Sequence, residues 1–135
     1  MREEIIIREG AGIIIENDKN EILMQLRDNN AKKFPNHWVL LGGGVEEGET
    51  PLDAIKRELM EEINLEIKNF VFFKNFIYKK SKQSFFYIKL NLDIEKIKLN
   101  EGEKIQYFKP DEIRELKIGF NIKKVLNNFF LNKKN

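Results

Sequence analysis

GGGVEEGETPLDAIKRELMEEINLEI, running from Gly42 to Ile67, is the stretch that decides how this chain folds. Thr50 is a preferred N-cap and Pro51 a favoured first helical residue, which predicts a helix from about Pro51 to Ile63. At about 100° per residue, Leu52, Ile55, Leu59 and Ile63 share one sector that can pack on a sheet. Glu58, Glu61 and Glu62 share another. Like charges three and four residues apart repel, each pair costing roughly a few tenths of a kcal/mol. Two explanations compete: a solvated face in a chain whose residues are 34% charged, or a cluster that a cation relieves.

The donor chemistry narrows the second explanation. There is no cysteine and a single histidine, His37, so thiolate zinc sites, disulfides, a cysteine nucleophile and any two-histidine site are excluded. Carboxylate oxygens without nitrogen or sulfur partners suit Mg²⁺ or Mn²⁺. Such ions commonly also hold substrate phosphates. Gly42, Gly43 and Gly44 lack a Cβ, so the backbone there can come close to the same metal or phosphate.

Working outward, strands are predicted at Ile5–Ile7 and Ile13–Ile15, with Asn17-Asp18-Lys19-Asn20 as a turn and Glu21–Arg27 as the return strand. A polar loop, Asp28–Asn36, precedes a short strand His37–Leu41 that runs into the glycines. Aromatic strands follow at Asn69–Tyr78 and Ser84–Asp93, and a last strand near Lys104–Phe108. Pro110-Asp111-Glu112 opens a short helix, and Phe120–Leu131 reads as a C-terminal amphipathic helix. The aromatic runs Phe70–Phe76, Phe85–Tyr87 and Phe129–Phe130 read as core. The layout is α+β, without strict βαβ alternation.

The 135 residues suit a single domain, 1–135. With 41% hydrophobic residues the chain can bury a core. The 24 basic and 22 acidic residues nearly cancel, which argues against nucleic acid or a membrane surface as partner. The surface lysines, among them Lys79, Lys80, Lys82, Lys133 and Lys134, read as general solubility. No apolar run is long enough to span a bilayer, and Met1-Arg2-Glu3-Glu4 lacks the order of a secretory signal. A cytoplasmic protein is the expectation.

The wider spacing decides between the two explanations of the carboxylates. Gly43, five residues, Glu49, seven residues, Arg57-Glu58-Leu59, one residue, then Glu61-Glu62 resembles the Nudix box, G-x5-E-x7-R-E-U-x-E-E-x-G-U, with U a bulky aliphatic residue. Asn64 stands where the family usually has glycine; asparagine is the next most tolerant residue for a left-handed position. Leu41 stands where many relatives have proline. Beyond the box, QLRDNNAKKFPNHWVLLGGG is similar to the strand–loop–strand approach of MutT-like members. EGEKIQYFKPDEI, Glu101 to Ile113, is similar to a late segment where relatives often place an extra acidic residue.

The resemblance implies an α/β/α sandwich with a mixed sheet between helices. It implies hydrolysis of the diphosphate bond of a nucleoside diphosphate derivative with Mg²⁺, Mn²⁺ being an alternative. The reading favoured here is a MutT-type (d)NTP pyrophosphohydrolase acting on a nucleoside di- or triphosphate. ADP-ribose or nucleotide-sugar cleavage is the alternative, and a non-catalytic nucleotide-binding module is the rival from another class. RNA decapping is disfavoured by the charge balance. Carried onto this chain, Glu58, Glu61, Glu62 and the Gly42 carbonyl become metal ligands, and Arg57 and Glu49 hold loop and helix together. The general base is Glu58 or Glu101, with Glu103 as substitute. Arg27, Trp38 and Phe34 are candidate substrate contacts, although Trp38 also reads as core and His37 as a satisfied strand histidine. The family's frequent dimers admit a homodimer.

Overall fold

The computed structural model of the protein describes residues 5–133. The opening Met1-Arg2-Glu3-Glu4 and the lysine Lys134 lie outside them. The axis of the fold is β1 (Arg8–Glu16), followed by β2 (Ile22–Leu26), β3 (Trp38–Val39), β4 (Leu41–Gly44) and the helix α1 (Pro51–Ile63). The hairpin β5 (Val71–Tyr78) and β6 (Ser81–Lys89) comes next, then a 3₁₀ turn at Ile94–Lys96, β7 (Lys104–Phe108), the short α2 (Pro110–Ile113) and α3 (Ile122–Lys133). The sheet runs β3-β2-β1-β6-β5, with β4 also on β1 and β7 also on β2. The β1–β6 pair is parallel, from Arg8 opposite Ser81 to Glu16 opposite Lys89, and its neighbours are antiparallel, so the sheet is mixed.

Both faces of β1 are covered, which is why Ile13-Ile14-Ile15 is apolar without alternation. Ala11, Ile13 and Ile15 pack with Ala54, Ile55, Leu59 and Ile63 of α1. Ile14, with Ile22 and Met24 of β2, packs with Val125, Leu126 and Phe129 of α3. Burying a side chain such as Ile55 or Leu59 fully is worth about 1.5–3 kcal/mol relative to leaving it exposed. The layers are therefore helix, mixed sheet, helix, an α+β arrangement.

Several predicted elements move. Ile5–Ile7 is not a strand: β6 begins at Ser81, and only the Ile7 N–H reaches past it, donating to the Lys80 carbonyl at 3.0 Å. Partner strand runs out there, leaving Ile5 and Ile7 exposed. β6 starts at Ser81 instead of Ser84, because Lys79 and Lys80 form a two-residue turn with φ of 45° and 62°. That is the signature of a type I′ hairpin turn, and two lysines do not advertise it as Asn-Gly would. β6 ends at Lys89 instead of Asp93, where the phenol of Tyr107 accepts from Leu92 N–H and donates to the Leu90 carbonyl.

His37–Leu41 divides at Leu40, where the chain passes from β2 to β1, and the glycines themselves form the strand β4. The C-terminal helix begins at Ile122 because Phe120, at φ 55°, cannot continue a right-handed turn. Leu52 and Phe72, predicted for the core, are exposed, and Ala54 takes the buried helix position instead.

Candidate active site

β4 and α1 are brought together by residues with no side chain to spare. Gly42 has φ 146°, and a Cβ there would lie 2.7 Å from the Cα of Gly12 on β1. A Cβ on Gly43 would lie 2.7 Å from Cδ of Glu58. The missing methyl groups admit both the β1 backbone and the Glu58 carboxylate. Thr50 and Asp53 cap α1 reciprocally, through Asp53 N–H to Thr50 Oγ1 at 3.1 Å and Thr50 N–H to Asp53 Oδ2 at 3.2 Å. At the other end Asn64 adopts the left-handed conformation, φ 53° and ψ 35°. Its N–H meets the Met60 carbonyl, and the Leu65 N–H meets that of Leu59.

Arg57 ties the glycine strand, the following loop and the helix into one unit. Its Nε and Nη2 donate to the two oxygens of Glu49 at 2.8 and 3.0 Å. Nη2 also donates to the Gly44 carbonyl at 2.9 Å, and Nη1 donates to Glu58 Oε1 at 3.0 Å and to Glu61 Oε2 at 3.3 Å. The fork geometry of a guanidinium makes such a multi-point clasp possible, and a lysine could not replace it. Glu49 is held below the usual carboxylate range by the Arg57 hydrogen bond, with the Glu46 backbone adding to it. Arg57 is held firmly protonated, by Glu49 above all.

Three carboxylates converge beside this unit. Oxygens of Glu58, Glu62 and Glu101 all lie within 4.8 Å of one another. Glu62 is only 3% exposed, and its buried Oε2 has no hydrogen-bond partner among the described residues. Burial, first of all, and then the Glu58 and Glu101 charges push the Glu62 carboxyl up, against a Gly42 backbone hydrogen bond. Burial also raises Glu58, with Arg57 working against it. An orphaned buried oxygen and clustered like charges are costly by themselves. A hard divalent cation is the group whose charge and oxygen preference would remove both costs, so the donor set fits one. The three clustered side chains offer only oxygen.

The remaining predicted residues fall in different places. Glu61 is one turn from Arg57 and lines the same cavity, outside the trio. Gly42 lines it too. Glu103 is exposed on the loop beside Glu101, its N–H bonded to the Leu26 carbonyl at 2.9 Å. The cavity, about 1300 Å³, extends from the carboxylates past Arg27 to Phe85 and Phe120. Arg27 donates through Nε to the Lys33 carbonyl at 2.8 Å, and its guanidinium lies 5.3 Å from the centre of the Phe120 ring. Phe34 packs on the other ring neighbours, 4.6 Å from Phe120 and 5.4 Å from His37, and Trp38 stands edge-on to Phe108 at 4.7 Å. Neither borders the cavity. His37 Nδ1 pairs with the Pro35 carbonyl at 2.8 Å.

Sequence reasoning passed over Gln25, Asn100 and Asn121. Gln25 is the one polar residue of β2 and is 7% exposed; a lone amide in an apolar strand is a signal that could have been taken. Asn121 also borders the cavity, its buried Nδ2 without a partner among the described residues. Nothing in its local sequence marks it, nor Asn100.

Comparison with known proteins agrees with this arrangement. The family profile described as the NUDIX domain matches residues 7–129. The nucleoside triphosphatase NudI of Salmonella arizonae is 44% identical over 50 residues, which are 37% of this chain and 35% of that protein. The match thus spans about a third of that curated relative. A mutT/nudix family protein from Listeria innocua superposes with a TM-score of 0.78 at 22% identity, over 96% of this chain and 95% of that one. The NUDIX domain of Shewanella oneidensis NrtR, solved with ADP ribose, superposes with a TM-score of 0.74 at 12% identity, over 97% and 90%. At these identities the structural likeness is one of fold.

Proposed function

This chain belongs to the NUDIX family, and on that premise we propose that it hydrolyses the diphosphate bond of a nucleoside diphosphate derivative, as a (d)NTP pyrophosphohydrolase of MutT type. The observation that carries the proposal is the convergence of Glu58, Glu62 and Glu101 around a buried carboxylate oxygen that lacks a donor. Glu58, Glu62 and Glu101, joined by Glu61 and the Gly42 carbonyl, would hold Mg²⁺, or Mn²⁺ in its place. A bound divalent cation supplies charge neutralisation on the diphosphate oxygens and acidifies water.

The protein's own contribution is placement and proton transfer. Water adds to phosphorus, the bridging P–O bond breaks, and pyrophosphate leaves a nucleoside monophosphate. The water's proton goes to a carboxylate within reach. Glu58, braced by Arg57, and Glu101, on the open side of the cluster, are the two candidates, and Glu103 is their substitute. Arg57 keeps Glu58 in place without touching the reacting atoms, which makes it a positioning group. Arg27 is the proposed substrate contact on the far side of the cavity. Phe34, against the Phe120 ring, can act only through that ring, and Trp38 is the remoter candidate.

ADP-ribose is the second reading. It is the ligand of the similarly folded NrtR domain, and a cavity of about 1300 Å³ has room for its two ribose units. One panel separates the readings: phosphate and pyrophosphate release from (d)NTPs, oxidised dGTP, ADP-ribose, nucleotide sugars and a dinucleoside polyphosphate with Mg²⁺, with Glu62→Gln as blank. Turnover of (d)NTPs that the variant lacks supports the proposal. Turnover of ADP-ribose alone transfers it to the second reading. No turnover by folded protein leaves a nucleotide-binding module.

A further inference from the structure

Gln25 and Asn100 fasten the loop that carries Glu101, and we propose that they are positioning residues that set where the Glu101 carboxylate stands relative to Glu58 and Glu62. The inference rests on reading the three carboxylates as a cation site. Glu101 needs such help because residues 97–103 belong to no strand or helix. Fixing each residue of an irregular segment costs backbone entropy. Without specific bonds the loop would not hold a carboxylate at one place beside two others that repel it.

Four hydrogen bonds supply the fixation, and they reach two different supports. The Asn100 N–H donates to the Glu62 carbonyl at 2.9 Å, and Asn100 Nδ2 donates to the Glu61 carbonyl at 3.0 Å. These acceptors belong to the last turn of α1, whose carbonyls have no partner within the helix. Asn100 therefore caps the helix that presents Glu58 and Glu62 and docks the loop onto it by the same contacts. From the sheet side, Gln25 Nε2 donates to the Glu101 carbonyl at 2.8 Å, and the Glu103 N–H reaches the Leu26 carbonyl at 2.9 Å.

Gln25 is shaped for this contact. It lies on the α1 side of β2, in step with Leu23, and a buried amide is costly unless hydrogen-bonded. Gly102, at φ 80°, passes so close that a Cβ would lie 2.8 Å from Gln25 Nε2. The glycine admits the amide, and the amide holds the residue before it. Helix and sheet thus both grip the loop, one on each side of Glu101. Partners that orient a ligand without touching the ion commonly carry 10–100-fold in metal affinity.

A double-mutant cycle tests the assignment without any substrate. Mn²⁺ binding would be measured by calorimetry for the full chain, Gln25→Met, Asn100→Ala, Glu101→Gln and the two doubles with Glu101→Gln. Gln25→Met keeps the volume and loses the donor. Each positioning variant should weaken Mn²⁺ about 10-fold and speed amide exchange at residues 100–103 in metal-free protein. In the Glu101→Gln background each should add less than about twofold, since they act through Glu101. Full Mn²⁺ affinity in both single variants, or losses that simply add to that of Glu101→Gln, would overturn the assignment while leaving the cation site standing. Absence of Mn²⁺ binding by the unaltered chain would overturn the cation site and the assignment together. Should Gln25→Met fail to fold, the exposed Asn100 carries the same cycle.

Discussion

Glu62 stands one helical turn beyond Glu58, and its buried Oε2 receives no hydrogen bond while both carboxyls are pushed above their ordinary range. The pair is a liability to the fold and an asset to a cation. Stability and activity should therefore respond to the same substitution with opposite signs.

Glu62→Gln replaces a carboxyl that must take up a proton on folding at pH 8 by a neutral amide of the same shape. In chelator it should raise the melting temperature at pH 8 by roughly 3–8 °C, which is what about 1–2 kcal/mol is worth in a chain of this size. Nucleotide turnover should fall at least about 100-fold, and the stabilisation by millimolar Mg²⁺ should vanish. Scanning calorimetry with and without Mg²⁺ checks all three. A variant less stable than the parent in chelator would contradict the cost assigned to burying this carboxyl.

The pH dependence follows from the same shift. A carboxyl raised on folding contributes stability that is complete below its unfolded value and is lost as pH climbs through the folded one, here about 9. Metal-free protein should thus melt progressively earlier from about pH 5 to pH 9, and the gain from Mg²⁺ should widen over that window. Thermal melts at closely spaced pH values decide it; a melting temperature that rises towards pH 9 in chelator would go against it.

Gly43→Ala tests the glycine cradle. The added Cβ would lie 2.7 Å from Glu58 Cδ, so the carboxylate must move although the helix can stay. The expected result is a loss of kcat of about 10–1000-fold, as misplacement by about 1 Å commonly brings, with a melting temperature within a few degrees of the parent. A crystal structure of the variant would show the displaced Glu58; unchanged kcat would remove the close approach from the mechanism.

Away from the site, Tyr87 donates to the buried Glu16 at 2.8 Å, and Lys133 pairs with the same carboxylate. Burial and Glu16 push the phenol up to about 12. Tyrosinate absorbance should show a component rising near pH 12 that Tyr87→Phe removes. The same variant should cost about 1.5–3 kcal/mol at neutral pH, the worth of a hydrogen bond to a charged group. Titration of Tyr87 at the ordinary pH 10 would mean that the contact is open in solution.

What the sequence disclosed follows the range of the interactions involved. The span of α1 was legible to the residue because its cap, its proline and its apolar residues each lie within four residues of the next. The same holds for Glu58 and Glu62, one turn apart. The place of Glu101 was legible only as a resemblance, because Gln25 and the α1 carbonyls that hold it are far away in sequence. The Lys79-Lys80 turn escaped because lysine pays for positive φ there and gives no sign of it. The division at Leu40 escaped because β2 and β1, which the two halves join, compete for one apolar run.

The central strand also constrains how the chain can be made. Ile14 of β1 is paired in parallel with Tyr87, and the opposite edge of β1 waits for Leu41 to Gly44. During synthesis the run Ile13-Ile14-Ile15 leaves the ribosome long before either neighbour, with both faces destined for burial and neither yet covered. Pairings of such sequence separation form slowly, and uncovered strands of this kind associate with one another or with chaperones in the meantime. The sheet's axis is made before every strand that pairs with it, so its exposed interval falls during synthesis, while those partners have yet to follow.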